Sequence, residues 1–270
     1  MDIDKILQKL HIEKLNDMQL DVARAVATTA DDIIILSPTG SGKTLAYLLP
    51  SVFRLNPALD TLQMVVMVPN RELAKQSVEV MRSMGVPLRG MALYGGRPTM
   101  EEHREINKLK PQVVFATPGR MNDHIAKHNV NPMGVRLLVI DEFDKSLEMG
   151  FADEMQRVVD SLPSVERRIL LSATDCPDIP RFVNMQHTCR IDYTEPDSGI
   201  SAADRIRSFV VRSEQKDKLD TLLHLLLSFG EKSSIVFLNY RSSVERTWQF
   251  LQDKGFVCSN IWIWTWTILA

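Results

Sequence analysis

Ile33-Ile34-Ile35-Leu36-Ser37-Pro38-Thr39-Gly40-Ser41-Gly42-Lys43-Thr44 decides the fold. An apolar run leads into a glycine-bearing turn, and a helix-forming segment follows, so the stretch reads as strand, phosphate loop, helix. Gly40 and Gly42 let the backbone turn its N–H groups toward a polyphosphate. Lys43 supplies a point charge to the β- and γ-phosphates, Thr44 offers a hydroxyl to a magnesium ion, and the dipole of the following helix favours the anion at its N-terminus. The spacing G-x-x-x-x-G-K-[ST] is met except at its first position, where Ser37 stands.

A second constellation lies about a hundred residues on, in Leu137-Leu138-Val139-Ile140-Asp141-Glu142-Phe143-Asp144. Four consecutive apolar residues suit a parallel strand buried on both faces, and such strands deliver polar groups at their C-terminal ends, where open α/β sheets bind ligands. Asp141 is placed there to hold the magnesium ion, and Glu142 to orient or deprotonate the water that attacks a γ-phosphate. An acidic cluster after a strand is by itself an ordinary solvated loop or helix cap. The phosphate loop in the same chain favours the catalytic reading.

Three further strings sit at predicted strand ends. Pro69-Asn70-Arg71-Glu72-Leu73-Ala74 follows a predicted strand at 64–68, Thr117-Pro118-Gly119-Arg120 follows one at 112–116, and Ser172-Ala173-Thr174 follows one at 168–171. Arginine, threonine hydroxyl and helix N-terminal amides grip phosphate oxygens without reading bases, so binding there is expected to be independent of sequence and sensitive to salt. The bland alternative for Arg71 and Arg120 is a surface pair with a nearby glutamate such as Glu72, and on position alone the two are evenly matched. Ser172 and Thr174 can hydrogen-bond Asp144, although short hydroxyl residues after a strand are often plain turn formers.

With these strings in order, the chain resembles the DEAD-box ATP-dependent RNA helicases of helicase superfamily two. Gln19, in His11-Ile12-Glu13-Lys14-Leu15-Asn16-Asp17-Met18-Gln19, matches the family's adenine-reading glutamine, with His11, Ile12, Leu15 and Asn16 replacing the usual glycine, aromatic, proline and threonine. Serine at position 37 is common in this superfamily. Pro69 to Ala74 is similar to P-T-R-E-L-A, Gly95-Gly96 to the double glycine, Thr117 to Arg120 matches T-P-G-R, Asp141-Glu142-Phe143-Asp144 departs from D-E-A-D by one phenylalanine, and Ser172 to Thr174 is an unaltered S-A-T. The resemblance implies an RNA-stimulated ATPase with ATP and Mg2+ as cofactors and RNA as partner. ATP would be held by Gln19 and residues 37–44, the metal by Thr44 and Asp141, catalysis carried by Lys43, Asp141 and Glu142, and coupling by Asp144, Ser172 and Thr174. RNA would meet Pro69, Arg71, Gly96, Thr117, Pro118, Gly119 and Arg120.

Composition agrees with a globular enzyme. A chain of 270 residues, 44% hydrophobic and 24% charged, can bury one large domain and part of another. A net charge of −2 excludes a uniformly basic nucleic-acid protein while leaving room for a local basic rim. Three cysteines without paired spacing suit a reducing compartment, and a charged N-terminus without a membrane-length apolar run points to the cytoplasm, or the nucleus, rather than to secretion.

The expected fold is α/β: a RecA-like, doubly wound, mainly parallel sheet of P-loop NTPase type over 1–191, then a linker over 192–204 with Pro196 and Gly199. An incomplete second RecA-like domain is expected over 205–259, with strands at 208–211 and 234–240 and a helix over 216–229 whose leucine stripe is core packing. The H-R-x-G-R-x-G-R string that completes the family's ATP site is absent. Residues 260–270 carry three of the four tryptophans and read as a tail foreign to the family, which suggests a truncated product. Three functional classes remain: an ATP-dependent RNA helicase, a nucleotide-dependent RNA-binding module without turnover, and a DNA helicase of the same superfamily. The Gln19 motif, T-P-G-R and S-A-T favour RNA over DNA.

Overall fold

The computed structural model describes residues 2–175, 179–194, 209–213, 216–230 and 232–260, in two compact units, Met1–Arg207 and Ser208–Ala270. The first unit holds seven strands: β1 (Asp32–Leu36), β2 (Met64–Met67), β3 (Gly90–Leu93), β4 (Val113–Ala116), β5 (Leu137–Ile140), β6 (Arg167–Ser172) and β7 (Thr188–Asp192). They form one parallel sheet in the order β3-β4-β2-β5-β6-β1-β7. The helices are α1 (Ile3–Lys9), α2 (Asp17–Thr28), α3 (Lys43–Val52), α4 (Arg71–Ser83), α5 (Thr99–Leu109), α6 (Pro118–Ala126), α7 (Phe143–Glu148) and α8 (Ala152–Asp160).

The apolar runs seen in the sequence are buried on both faces. Ile33 and Ile35 of β1 and Val139 of β5 join a core with Val22, Leu48 and Val78 of α2, α3 and α4. Ile34, Leu36, Leu138 and Ile140 alternate to the opposite face, against Ile106, Met121, Met155 and Val158 of α5, α6 and α8. This two-sided burial is why the central strands read as continuous apolar runs rather than as alternating ones. The expected α/β, RecA-like doubly wound architecture is what the first unit adopts.

Strand order is what builds the site. β6 lies between β5 and β1, so the turns after β1, β5 and β6 emerge side by side. The phosphate loop, the Asp141 turn and the Ser172 turn therefore share one rim. Asp192, expected in the linker, ends β7 and pairs with Leu36, and the Tyr193 N–H donates to the Leu36 carbonyl at 2.7 Å.

The second unit contains α9 (Leu219–Phe229) and α10 (Arg241–Asp253). The leucine stripe of α9 is core only in part, with Leu226 buried and Leu227 exposed. The strand expected over 234–240 does not form: Ile235 and Phe237 are 81% and 83% exposed. A strand exists only through its ladder, and among the described residues none pairs with this segment. Residues 209–211 are likewise irregular, while residues 195–204 of the expected linker and the tryptophan-rich residues 261–270 lie outside the described residues.

Candidate functional site

The phosphate loop is closed around its own lysine. Gly40 and Gly42 take φ of +79° and +88°, the left-handed region that favours glycine, and Gly42 caps α3. Lys43 Nζ donates to the Ser37 carbonyl at 2.5 Å and to the Pro38 carbonyl at 3.2 Å, and the Ser37 and Ser41 hydroxyls lie 2.6 Å apart. Lys43 is only 8% exposed, and burial pulls its ammonium below the usual lysine range against the attraction of Asp141, Glu142 and Asp144. Anionic oxygens placed in the loop would compete with these two neutral carbonyls for Nζ. Thr39 and Gly40 form the exposed tip, with Thr44 half-buried in the first turn of α3.

Gln19 reaches the same loop through a helix cap. The Gln19 N–H donates to Asn16 Oδ1 at 2.9 Å and the Asn16 N–H donates to Gln19 Oε1 at 3.0 Å, a reciprocal capping box. The two free amide groups then hold the phosphate loop: Asn16 Nδ2 donates to the Ser41 carbonyl at 2.9 Å and Gln19 Nε2 to the Gly42 carbonyl at 3.2 Å. The backbone angle at Gly42 favours glycine, and a Cβ there would stand 2.6 Å from Gln19 Nε2 and displace the end of that side chain from the loop.

Asp141 and Lys43 face one another across the rim. Asp141 is buried, and desolvation, reinforced by Glu142, raises its carboxyl to about 6 although Lys43 opposes the shift. Its Oδ1 accepts the Glu142 N–H at 2.9 Å, and no donor among the described residues reaches Oδ2. A carboxylate oxygen without a hydrogen-bond donor, on a buried residue that feels the charge of Lys43, fits a magnesium ion carried in with a nucleotide; Asp141 and Thr44 are the residues that would hold it. Glu142 sits at φ +49°, a strained angle for a non-glycine residue, and its Oε1 accepts from Lys145 Nζ at 2.9 Å. Phe143 turns into the core and is fully buried, so the departure from alanine leaves the polar face of the turn untouched.

Asp144 joins two strand ends. Its Oδ2 accepts from Thr174 Oγ1 at 3.0 Å and from the Ala173 and Thr174 N–H groups at 3.2 Å each. Partial burial pushes this carboxyl up, and the hydrogen bonds from Lys145, Thr174 and Ala173 outweigh it, leaving it below the usual range. Ser172 Oγ donates to the Thr174 carbonyl at 2.7 Å, and the Ser172 carbonyl accepts the Ser37 N–H at 3.1 Å. A continuous chain of hydrogen bonds thus runs from the phosphate loop through the Ser172 turn to Asp144.

The rest of the rim carries the other sequence-predicted residues, and one of them is corrected. Asn70 caps α4 by accepting the Leu73 N–H at 2.9 Å, which explains why it serves where the resemblance expects threonine. Pro69 is buried behind it, Gly96 is exposed, and Thr117 and Pro118 open α6, with Gly119 in its first turn. Arg71 is exposed and pairs with Glu72 at 2.9 Å. Arg120, expected to face phosphate, turns inward instead: its side chain is 9% exposed and donates to Glu102 Oε2 at 2.6 Å, the Arg97 carbonyl at 2.6 Å and Thr99 Oγ1 at 3.0 Å. The cause is the fully buried Glu102 carboxylate, which needs a cationic partner. His124 Nε2 donates to the same oxygen at 2.8 Å, with Nδ1 accepting from Asn129 at 3.1 Å.

Residues 16–179 match the DEAD/DEAH box helicase family model. The chain belongs to the DEAD/DEAH box helicase family. It is 29% identical over 262 residues to the DEAD-box ATP-dependent RNA helicase CshA of Bacillus subtilis (strain 168), covering 96% of this chain and 52% of that protein. It is 32% identical over 227 residues to the DEAD-box ATP-dependent RNA helicase RhpA of Helicobacter pylori (strain B128), covering 83% and 46%. The chain therefore spans about half the length of these relatives. Among solved structures, a DEAD box protein from the hyperthermophile Methanococcus jannaschii superposes with a TM-score of 0.65 at 25% identity, covering 93% of this chain and 67% of that one.

Several residues of this DEAD/DEAH box chain were not singled out from the sequence. Asn16 acts as a second tether of the phosphate loop, and the Asn-x-x-Gln spacing of a capping box was the available signal. Lys145 holds Glu142, and a lysine three residues after a glutamate on a short helix was the clue. Glu102 and His124 hold Arg120, from α5 and α6, a contact with no local sequence signature. Among the described residues no cluster of three metal-ligating side chains occurs, and no helix is long and apolar enough to cross a membrane.

Proposed function

We propose that this chain is the nucleotide-driven part of an ATP-dependent RNA helicase, coupling ATP binding and hydrolysis to RNA binding and remodelling. The observation that carries the proposal is the hydrogen-bonded chain from Ser37 through Ser172 and Thr174 to Asp144, because it joins the phosphate loop to the acidic turn. On this proposal ATP enters with Mg2+, Gln19 exchanges its loop contacts for the adenine edge, Lys43 meets the phosphates, and Asp141 and Thr44 hold the ion. Glu142 orients the water that attacks the γ-phosphate. Pro69, Arg71, Gly96, Thr117, Pro118 and Gly119 grip RNA through the backbone, with Arg120 holding the α5–α6 corner in shape. The first unit is the RecA-like motor domain, the residues after 208 contribute to a second one, and the cytoplasm is the compartment that fits.

A nucleotide-dependent RNA-binding role without turnover is the second reading. Measuring ATP hydrolysis without nucleic acid, with RNA and with DNA separates the alternatives. Slow turnover, raised by RNA, not by DNA, and abolished in Glu142→Gln with ATP binding retained, is the expected result. Stimulation by DNA alone would overturn the assignment of RNA.

A further inference from the structure

Lys75 lies on α4 one turn after Arg71, so both side chains share the face of the helix that begins at the rim. Its Nζ stands 5.4 Å from the centroid of the Tyr94 ring. Tyr94 directly follows Leu93, the last residue of β3, and precedes Gly95-Gly96. The Leu93 carbonyl accepts the Thr117 N–H at 3.0 Å, which brings the Tyr94 backbone beside the start of α6. In the strand order β3-β4-β2 the Thr117 turn lies between the Tyr94 turn and the Arg71 turn, so Lys75, on the helix that begins at Arg71 and in contact with Tyr94, belongs to the same stretch of rim.

Charge pairing distinguishes Lys75 from its neighbours. Of the four cations on these rim segments, Arg71 pairs with Glu72 at 2.9 Å, Arg97 with Glu105 at 2.8 Å and Arg120 with Glu102 at 2.6 Å. Lys75 is exposed and has no carboxylate within ion-pair distance among the described residues. Among the described residues its partner is the face of Tyr94, which attracts the ammonium without neutralising it. An ammonium held in place and left uncompensated is what a phosphate oxygen meets most favourably. The three arginines must first give up a carboxylate.

We propose that Lys75 is a phosphate-binding residue of the RNA rim and that Tyr94 is the positioning residue that aims it. The proposal rests on the RNA function above and names a contact outside the strings that carry the family resemblance. The ligand is the backbone of single-stranded RNA, recognised through charge and independent of base identity. A protein partner using the same exposed lysine would show none of the salt law of a polyphosphate.

The test is fluorescence anisotropy of a labelled oligo(U) against the 270-residue chain, titrated between about 50 and 200 mM salt. Lys75→Ala should lower affinity about fivefold at the low end and reduce the slope of log affinity against log salt by about 0.7, one single-strand phosphate contact. Lys75→Arg should restore both. Tyr94→Leu should lose about twofold and Tyr94→Phe nothing, since the ring face and not the hydroxyl holds the ammonium. Lys127→Ala, an exposed lysine capping the far end of α6, is the matched control and should leave the slope unchanged. Wild-type binding with an unaltered slope in Lys75→Ala overturns the Lys75 assignment alone. Absence of oligo(U) binding by the wild type overturns both it and the RNA function.

Discussion

Asp144 Oδ2 accepts the Thr174 hydroxyl at 3.0 Å, fastening the turn after β5 to the turn after β6. Two backbone N–H groups reach the same oxygen, so the hydroxyl is the removable part of a three-donor clamp. Thr174→Val should cost about 1 kcal/mol of stability, the usual worth of one hydrogen bond. Nucleotide binding should persist while stimulation of hydrolysis by RNA falls. Thermal melts and paired ATPase assays read the two effects separately.

Arg71 and Arg120, alike in sequence position, should behave differently. Arg120→Ala leaves the buried Glu102 without its cation and is expected to destabilise the first unit by roughly 3 kcal/mol or more. Arg71→Ala removes an exposed pair and should change stability by less than about 0.5 kcal/mol. Any loss of RNA affinity in Arg71→Ala is then a direct effect, whereas in Arg120→Ala it follows the melt. Denaturant titrations of both variants decide the matter; equal stabilities would refute the buried role of Arg120.

The contrast shows where the sequence was legible. Long-range alternation and the glycine-lysine-threonine loop announced β1, β5 and the parallel sheet, because burial on both faces leaves an unbroken apolar run such as 137–140. β3, which is Gly-Met-Ala-Leu, and β7, an edge strand with exposed Thr188, Arg190 and Asp192, carry no such run and are visible only through their ladders. At the site, the turns after β1, β5 and β6 share one rim as the strand ends implied, whereas Arg120 turns inward from its expected position. What the residues touch was not legible: the pairing of Arg120 with Glu102 depends on how α5 packs beside α6. The segment 234–240 looked like a core strand and is exposed, since an apolar run specifies burial only when a neighbour supplies hydrogen bonds.

Acidity should act on Asp141 in a defined direction. Its carboxyl is raised in the folded chain from 3.8 to about 6, so its contribution to stability is fully present below about pH 4 and is lost as pH rises through about 6. Two units correspond to about 3 kcal/mol at most. Asp141→Asn should therefore be more stable than the wild type at pH 8 in the absence of nucleotide, with the advantage vanishing toward pH 4. A constant difference across that range would show that burial does not perturb this carboxyl.

Gln19 should matter to the loop before it matters to the base. Gln19→Ala removes the contact to Gly42 and half of the capping box, and is expected to cost about 1 kcal/mol and to raise amide exchange in residues 40–43 of the free protein. Adenine preference over guanine should fall in the same variant. Unchanged exchange at the loop would mean that the Gln19 tether contributes nothing to its order.

The central claim is that Lys43 and Asp141 form a magnesium–nucleotide site, and its most direct measurement is equilibrium binding of a fluorescent ATP analogue to the purified chain with Mg2+. Saturable binding competed by ATP better than by GTP, weakened at least about tenfold by Lys43→Ala, is the predicted result. Equal binding by wild type and Lys43→Ala, or none by the folded wild type, would contradict the account.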